Sequence, residues 1–263
     1  MGKFAKQRLT GIEILLRMFN TEASTVIARV RNRALPQTCF FCGDGGDETV
    51  CTPCATRLPQ LYREICPRCQ LAAANGEVCG RCLKKPPVWQ RLVAAWRYDF
   101  PLDAAMICAK YHHAFAIYRW AAAQRIDWPF GINATLIPVP LAERRLQARG
   151  YNQAQLIAQE FAKRFNLKVD ASAVIRIRET DIQQRLNWVE RRRNVRSAFA
   201  ATRSFAGESV VLIDDVLTTG ATLNELARAV LDAGATRVDA FVLARVLPIR
   251  RRDRVVKFGQ AIA

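Results

Sequence analysis

The sequence predicts an α/β protein in which a small cysteine-rich module precedes a mainly parallel, open sheet with helices on both faces. Two observations predict this class. Four Cys-x-x-Cys pairs crowd into residues 39–82, and from residue 92 onward short apolar runs alternate with stretches of helical length. The 263 residues allow one large or two modest domains, and a hydrophobic content of 51% is enough to build a core.

The four cysteine pairs are the clearest local signal. A gap of two residues lets both thiolates of a pair reach one tetrahedral zinc ion, and a second pair completes a closed structural site. Two consecutive zinc ribbons are the simplest arrangement, but a cross-brace, in which the first pair shares its metal with the third, stays open. Iron–sulfur, disulfide and redox functions are weaker alternatives. The pattern predicts two structural zinc ions bound by Cys39, Cys42, Cys51, Cys54, Cys66, Cys69, Cys79 and Cys82.

After Pro86 and Pro87 the pattern changes to alternating strands and helices. Several strand candidates are continuous apolar runs, which favours strands covered on both faces and hence a mainly parallel open sheet. The candidate strands are residues 92–98, 135–139, 174–177, 209–213 and 237–243. The candidate helices are residues 102–125, 152–165 and 222–233.

Two details of the helices are predicted as well. Thr222 and Glu225 have the spacing of a capping box at the start of the third helix, and Gly234 is expected to end it. The ninth cysteine, Cys108, lies in an apolar helical run and is expected to be a buried core thiol.

The charge is strongly positive: 40 Lys and Arg stand against 23 Asp and Glu, so the formal net charge is +17. This predicts an anionic partner, whether nucleic acid, a phosphorylated small molecule or an acidic membrane surface. Lys and Arg outnumber Asp and Glu by seven to two in residues 1–38, eight to three in residues 176–203, and six to one in residues 245–257. The simpler interpretation of each segment is a solvated basic face.

The remaining sequence features bear on the compartment and the domain limits. No apolar run approaches the roughly 18 residues of a membrane span, and the first residues lack the apolar stretch of a secretory signal, so we expect a cytoplasmic chain. We expect a basic arm, helical or flexible, at residues 1–35 and a double zinc ribbon at residues 36–90. A sheet domain would follow at residues 91–245, and a basic tail at residues 246–263.

One segment combines a buried strand, two acids and the start of a helix. Apolar residues 210–213 lead into Asp214 and Asp215. Backbone N–H groups and hydroxyls at a helix N-terminus can hold a phosphate, and ligands of open α/β sheets bind at the carboxyl ends of strands. Two carboxylates there suit sugar hydroxyls or a magnesium ion, so the segment predicts a ribose 5-phosphate site. Its turn consists of Thr218, Thr219, Gly220, Ala221 and Thr222.

This segment resembles the binding motif for 5-phosphoribosyl 1-pyrophosphate (PRPP) of type I phosphoribosyltransferases. The order of parts resembles the ComF family, including ComFC and the GntX-like proteins, in which cysteine-rich zinc modules precede such a domain. The resemblance covers about residues 36–245. It also includes residues 79–82, 86–87, 110–111, 138–141, 149–153, 191–194 and 198–199, together with Thr180, Gln183 and Leu186.

The resemblance implies a role for each part of the site. Asp214 and Asp215 would hold the ribose hydroxyls with magnesium, and the loop of residues 218–222 would wrap the 5-phosphate. Lys110 is expected to face the same ligand. Arginine clamps fit a pyrophosphate leaving group, on which negative charge accumulates as the bond to the sugar breaks. The pyrophosphate would face Arg144, Arg145, Arg149 and Gly150.

Two further features concern the chemistry of transfer. Residues 179–195 would correspond to the mobile hood of such enzymes and bring Gln183 over the substrate. In purine-salvage relatives the position of Thr218 is an Asp that can act as a base, so the loop of this chain offers no general base. His112 and His113 are the only histidines, and a place on or near a helix face explains them more simply than catalysis.

Two functions follow from the resemblance and the charge. The first is a phosphoribosyltransferase that displaces pyrophosphate from magnesium-bound PRPP with an unidentified acceptor. The second is a protein of DNA uptake and natural transformation that binds single-stranded DNA, uses the fold for PRPP or nucleotide sensing and has partners in the competence machinery. The two are compatible, because ribbons and basic tails can hold DNA while the α/β domain works on a nucleotide.

Overall fold

The structure is a computed structural model in which the chain divides into two compact units, residues 1–55 and residues 56–263. None of the helices that it describes is long and apolar enough to cross a membrane. The structure describes residues 37–111, 114–124, 126, 128–177 and 198–248. The predicted N-terminal arm and most of the predicted tail lie outside these ranges.

The first unit is built on a short antiparallel pairing between strands β1 (Gln37–Thr38) and β2 (Gly45–Gly46). The turn between them needs Gly43, whose φ of +77° is in the left-handed region. The Gly43 N–H donates to the Cys39 carbonyl at 2.9 Å, which closes the turn. Helix α1 (Thr52–Thr56) follows, so the cysteine pairs of this unit lie in the turn and at the helix start.

A five-stranded parallel sheet forms the centre of the second unit, with the strand order β3-β9-β8-β4-β5. The two long central strands are buried almost throughout, as expected of strands covered on both faces. The predicted α/β class with a mainly parallel sheet is confirmed. The strands are β3 (Leu92–Arg97), β4 (Thr135–Pro138), β5 (Lys168–Val169), β6 (Val174–Arg176), β7 (Phe199–Ala201), β8 (Ser209–Leu217) and β9 (Arg237–Arg245).

Strand β6 departs from the predicted sheet. It pairs in antiparallel fashion with β7, so that Val174 lies opposite Ala201, and the two form a separate ribbon. Val174 is buried whereas Ile175 is 49% exposed. A short strand with only one buried face is typical of antiparallel pairing at a surface rather than of a covered parallel sheet.

Helices occupy all three predicted helical segments, but the first segment is divided, and the helices Gly80–Lys84 and Glu143–Arg149 were not predicted. The predicted helix of residues 102–125 is two helices, α3 and α4. Cys108 of α3 is only partly buried, so its expected place in the core was wrong. The helices are α2 (Gly80–Lys84), α3 (Leu102–Tyr111), α4 (Ala116–Ala123), α5 (Glu143–Arg149), α6 (Gln153–Phe165) and α7 (Ala221–Asp232).

Helices cover both faces of the sheet, because successive strand residues point to opposite sides. On one face Val210 and Leu212 of β8 share a buried cluster with Leu226 of α7. On the other face Phe241 of β9 meets Phe161 of α6, with ring centroids 4.6 Å apart. The acids that follow Leu212 therefore lie at the end of a rigid, doubly covered strand.

The start of α7 differs from the predicted capping box. The helix begins at Ala221, and its N-cap is Gly220, which has a φ of +80° and makes no side-chain cap bond. The Thr219 hydroxyl accepts a bond from the Ala221 N–H at 3.3 Å. Thr222 thus lies inside the first turn, and Glu225 pairs with Arg228.

The second cysteine segment covers the free edge of β3. The Leu92 N–H donates to the Pro67 carbonyl at 2.9 Å, and the amide of Gln70 donates to the Leu92 carbonyl at 2.8 Å and accepts from the Ala94 N–H at 3.4 Å. Gln70 is itself buried. These bonds satisfy edge groups that would otherwise stay unpaired and make the segment part of the sheet unit.

Candidate functional site

Strand β8 is longer than predicted, and the extra length carries the acid pair. It was expected to end at Ile213, but it continues beside β9 to Leu217. On its other side the pairing with β4 ends where the Val139 N–H donates to the Ile213 carbonyl at 2.9 Å. Asp214 and Asp215 therefore lie on an overhang held from one side only, at the carboxyl end of the sheet, where ligands of open α/β folds bind.

Asp215 forms a buried ion pair with Lys110. Its Oδ2 lies 2.6 Å from Lys110 Nζ and accepts a hydrogen bond from the Tyr118 hydroxyl at 3.3 Å. Burial raises the pKa of Asp215, but the charge and hydrogen bond of Lys110 outweigh it, so the pKa is lowered. Burial and the Asp215 charge raise the pKa of Tyr118 well above its usual value. At neutral pH this trio is a carboxylate, an ammonium and a hydroxyl donor.

Asp214 has the opposite electrostatic character. It is partly buried, and its Oδ1 accepts a hydrogen bond from the Asp215 N–H at 2.9 Å. Burial and the neighbouring Asp215 charge raise the pKa of Asp214 to about 8. The adjacent acids thus share a single negative charge near neutral pH, and a divalent cation or a ligand that needs both carboxylates must release the Asp214 proton.

The predicted phosphate loop is shaped by one glycine. An added Cβ at Gly220 would lie 2.8 Å from the Trp89 ring, and its φ of +80° disfavours any other residue. Thr218 is exposed, and Thr219 is partly buried against the start of α7. The first N–H groups of a helix have no partner within it, so the loop can present backbone donors to an anion.

The predicted arginines are not equivalent in the structure. The charge of Arg149 stabilises the Asp215 carboxylate, and its Nη1 donates to Gln153 Oε1 at 3.2 Å. Gly150 ends α5 with a φ of +72° and so turns the chain behind Arg149. Arg144 is exposed and Arg145 is partly buried.

Sequence reasoning missed two side chains of this site. Tyr118 bonds Asp215 from 97 residues away, and no local pattern indicates it. Arg176 belongs to a basic segment of the sequence, but it is partly buried and its guanidinium lies 5.5 Å from the Phe199 ring centroid. Burial and the Arg145 charge lower the pKa of Arg176, and the charge of Asp214 partly offsets them.

Some predicted residues lie outside the part of the chain that the structure describes. These are Gln183, with the rest of the predicted hood at residues 179–195, and both histidines, His112 and His113.

The eight cysteines form two tetrads in sequence order. The ligand atoms of each tetrad lie within 4.8 Å of one another, so each tetrad can surround one ion, and the cross-brace alternative is wrong. The Cys42–Cys51 and Cys69–Cys79 sulfur distances are 3.8 Å and 3.7 Å. Four sulfurs at about 2.3 Å from a tetrahedral zinc ion stand about 3.8 Å apart, so the geometry fits zinc. The tetrads are Cys39, Cys42, Cys51, Cys54 and Cys66, Cys69, Cys79, Cys82.

Comparisons with known proteins agree with both halves of this architecture. The double zinc ribbon domain family matches residues 30–83, and the phosphoribosyl transferase domain family matches residues 148–259. The DNA utilization protein YhgH of Escherichia coli O157:H7 is 34% identical over 225 residues, which cover 81% of this chain and 99% of that protein. The chain belongs to the ComF family.

Two more distant relatives of this ComF chain carry competence names. Competence protein F of Haemophilus influenzae is 34% identical over 179 residues, which cover 64% of this chain and 78% of that protein. Competence protein ComFC of Bacillus subtilis is 27% identical over 217 residues, which cover 76% of this chain and 85% of that protein.

A basic cleft lies between the second ribbon of this ComF chain and helix α7. Its volume is about 390 Å³, and it is lined by Arg81 and Lys85 from the ribbon side and by Asn224 and Arg228 from the helix. Among the described residues no carboxylate lines the cleft. Arg81 and Lys85 are exposed, so the cleft presents positive charge to solvent.

Proposed function

We propose that this chain binds PRPP with magnesium at the overhang of β8 and the loop of residues 218–222. The observation that carries the proposal is the joint placement of the acid pair and a glycine-shaped helix start at the carboxyl end of one buried strand. Its membership of the ComF family and its phosphoribosyl transferase domain support the same ligand.

The roles of the side chains follow from their charges. Asp214 and Asp215 bind the ribose hydroxyls directly or through magnesium, and the loop donors bind the 5-phosphate. Lys110 holds Asp215 ionised and in place rather than contacting pyrophosphate. Gln183 contributes from the hood. The pyrophosphate group is bound by Arg144, Arg145, Arg149 and Gly150.

We further propose that the bound PRPP is a donor in phosphoribosyl transfer. The bond between C1 of ribose and the pyrophosphate oxygen breaks, the acceptor atom bonds to C1, and pyrophosphate leaves with the electron pair. Arg149, Arg144 and Arg145 stabilise the negative charge that builds up on the leaving pyrophosphate. Because Thr218 offers no base, the acceptor must lose its proton before the attack or pass it to a group outside this loop.

The names of the relatives support a role in DNA handling. YhgH is named for DNA utilization, and the Haemophilus and Bacillus relatives are named for competence. We therefore propose a cytoplasmic role in DNA uptake, natural transformation or the use of external DNA, together with proteins of the competence machinery.

Binding titrations with wild-type zinc-loaded protein test the PRPP proposal. Isothermal titration with PRPP and magnesium should show one site, and Asp214→Asn with Asp215→Asn should weaken it at least about a hundredfold, since two ligand contacts of about 1.5 kcal/mol each are lost. Glu160→Gln, at a carboxylate of α6 that pairs with Lys163, serves as the matched control and should leave affinity unchanged. Absence of binding to wild type, or unchanged binding to the double variant, refutes the proposal.

A non-catalytic protein that binds single-stranded DNA is the second candidate. The basic cleft favours it, because Arg81, Lys85 and Arg228 line one acid-free groove. Affinity for an oligothymidylate should then fall steeply between about 50 and 200 mM salt. The double variant Arg81→Ala with Lys85→Ala should reduce the slope of log affinity against log salt concentration by about two. Lys163→Ala, an exposed cation on α6, should leave the slope unchanged. A flat salt dependence, or an equal loss in the control, removes this candidate.

A further inference from the structure

Arg245 is buried although the sequence groups it with the basic tail. It is the last residue of β9, is 4% exposed and lies between the second ribbon and the start of the predicted phosphate loop. Burying a cation in a protein is costly unless its donors and its charge are both compensated.

Four carbonyl oxygens accept hydrogen bonds from Nε and Nη1 of Arg245. On one side Nε donates to the carbonyl of Cys69, a ligand residue of the second tetrad, at 2.9 Å. On the other side Nη1 donates to the carbonyls of Leu217 and Thr218 at 2.9 Å and 2.7 Å, and to that of Val246 at 2.6 Å. The rigid planar guanidinium therefore fixes the distance between a metal-ligand residue and the first residues of the loop.

The charge of Arg245 has no carboxylate partner among the described residues, because none forms an ion pair with it. Its Nε instead bonds the carbonyl of Cys69, which is a ligand residue of the second tetrad. Four thiolates around one zinc ion have a net charge near −2, whereas four protonated thiols have none. A second tetrad loaded with zinc would therefore supply a counter-charge for Arg245.

A second connection runs through Trp89. Its Nε1–H donates to the Arg68 carbonyl inside the second ribbon at 2.8 Å. The other end of its ring lies against Gly220, where an added Cβ would be 2.8 Å away. The ribbon thus supports the loop at two points, Thr218 through Arg245 and Gly220 through Trp89.

We propose that zinc in the second tetrad sets the conformation of the loop of residues 217–222, with Arg245 as the positioning residue. Zinc binding there and PRPP binding are therefore coupled, whereas zinc in the first tetrad is not coupled to PRPP. The statement about PRPP rests on the proposed function; the statement about loop conformation does not.

Hydrogen exchange tests the loop conformation without any ligand. In the full-length zinc-loaded chain, Arg245→Met should increase exchange of the amides of residues 217–222 at least about tenfold, and Arg245→Lys should restore part of the protection because it keeps the charge but loses the planar fork. Arg237→Met, at the exposed end of the same strand, is the matched control and should leave these amides unchanged. Zinc content per chain should be measured on each variant.

Linkage in the wild-type chain tests the coupling without relying on a variant that fails to fold. If zinc favours PRPP binding, PRPP must favour zinc binding by the same factor, because coupling is reciprocal. In the presence of PRPP and magnesium, removal of one of the two zinc ions should therefore need a concentration of zinc-selective chelator about five- to a hundredfold higher. The variant Cys42→Ser with Cys54→Ser, which removes the first site, should retain this shift in its remaining ion.

The outcomes separate the two proposals. If the wild-type chain binds PRPP but shows no shift in zinc retention, or if removal of the second zinc leaves exchange of residues 217–222 unchanged, the inference is overturned. If the wild-type chain does not bind PRPP, the proposed function fails, and the effect of Arg245 and of zinc removal on loop exchange still decides the inference.

Discussion

The two cysteine tetrads show how one local pattern serves two different structural settings. Both have two Cys-x-x-Cys pairs, and both have a backbone N–H that bonds a thiol, Cys51 to Cys39 and Cys79 to Cys66, at 3.4 Å. The first belongs to the compact unit of residues 1–55 and leaves Cys42 exposed.

The second tetrad belongs to the sheet unit, and three of its thiols are buried, with Cys66 fully covered. Its segment pairs with the edge of β3, and Arg245 connects it to the loop after β8. Ligand spacing therefore determines whether a metal is bound, whereas burial and long-range contacts determine what the metal supports.

The largest expected effect comes from removing one tetrad at a time. Cys66→Ser with Cys82→Ser should lower the melting temperature of the sheet unit by more than about 10 °C, because a structural metal site and its buried segment are lost. Cys42→Ser with Cys54→Ser should change that transition by less than about 2 °C. Differential scanning calorimetry measures both, and zinc analysis must show the loss of one ion in each variant. Equal shifts would contradict the comparison.

The next effect contrasts a buried ion pair with an exposed one. Lys110→Met leaves the Asp215 carboxylate buried and unpaired and should cost about 3 kcal/mol of unfolding free energy. Lys163→Met removes a pair to Glu160 whose lysine side chain is 72% exposed, and should cost less than about 1 kcal/mol. Urea unfolding at neutral pH gives both values, and similar costs would show that burial does not control the first pair.

A third contrast uses two glycines with positive φ. Gly220→Ala combines left-handed strain with a contact to Trp89 and should cost about 2 to 4 kcal/mol. Gly150→Ala has a similar φ but nothing within 4 Å of its added Cβ, so it should cost about 1 kcal/mol. Thermal unfolding compares them, and the additional variant Trp89→Leu should relieve part of the Gly220→Ala cost. No relief would mean that the contact is not the cause.

The smallest effect is a pH dependence of the acid pair. Because the pKa of Asp214 is raised to about 8 in the folded chain, its contribution to stability is fully present below about pH 4 and is lost as pH rises through 8. A ligand that needs the Asp214 carboxylate should bind about 25-fold more tightly at pH 8.5 than at pH 6.5. Calorimetric titration of PRPP with magnesium measures this, and Asp214→Asn should remove the dependence.

Much of the site was predictable because its signals are local. The Cys-x-x-Cys spacing indicated the ribbons, and the apolar run before Asp214 with the Thr-Gly turn after it indicated a strand, two acids and a helix start. The capping box at Thr222 was wrong for an equally local reason: the N-cap is Gly220, two residues earlier, where the backbone has a left-handed φ of +80°. The prediction that Cys108 is a buried core thiol was wrong because an apolar run does not show which face of the helix the tertiary fold covers.

The sequence by itself determined the α/β class, the two sets of four metal ligands and the position of the acid pair. Each depends on residues close together in the chain, whose spacing is a direct record of geometry. Only the tertiary structure decided that the tetrads are sequential, that Lys110 and Tyr118 hold Asp215, and that Arg245 is buried. These depend on contacts between distant segments, such as Arg245 and Cys69 at 176 residues apart, which packing creates and no local pattern encodes.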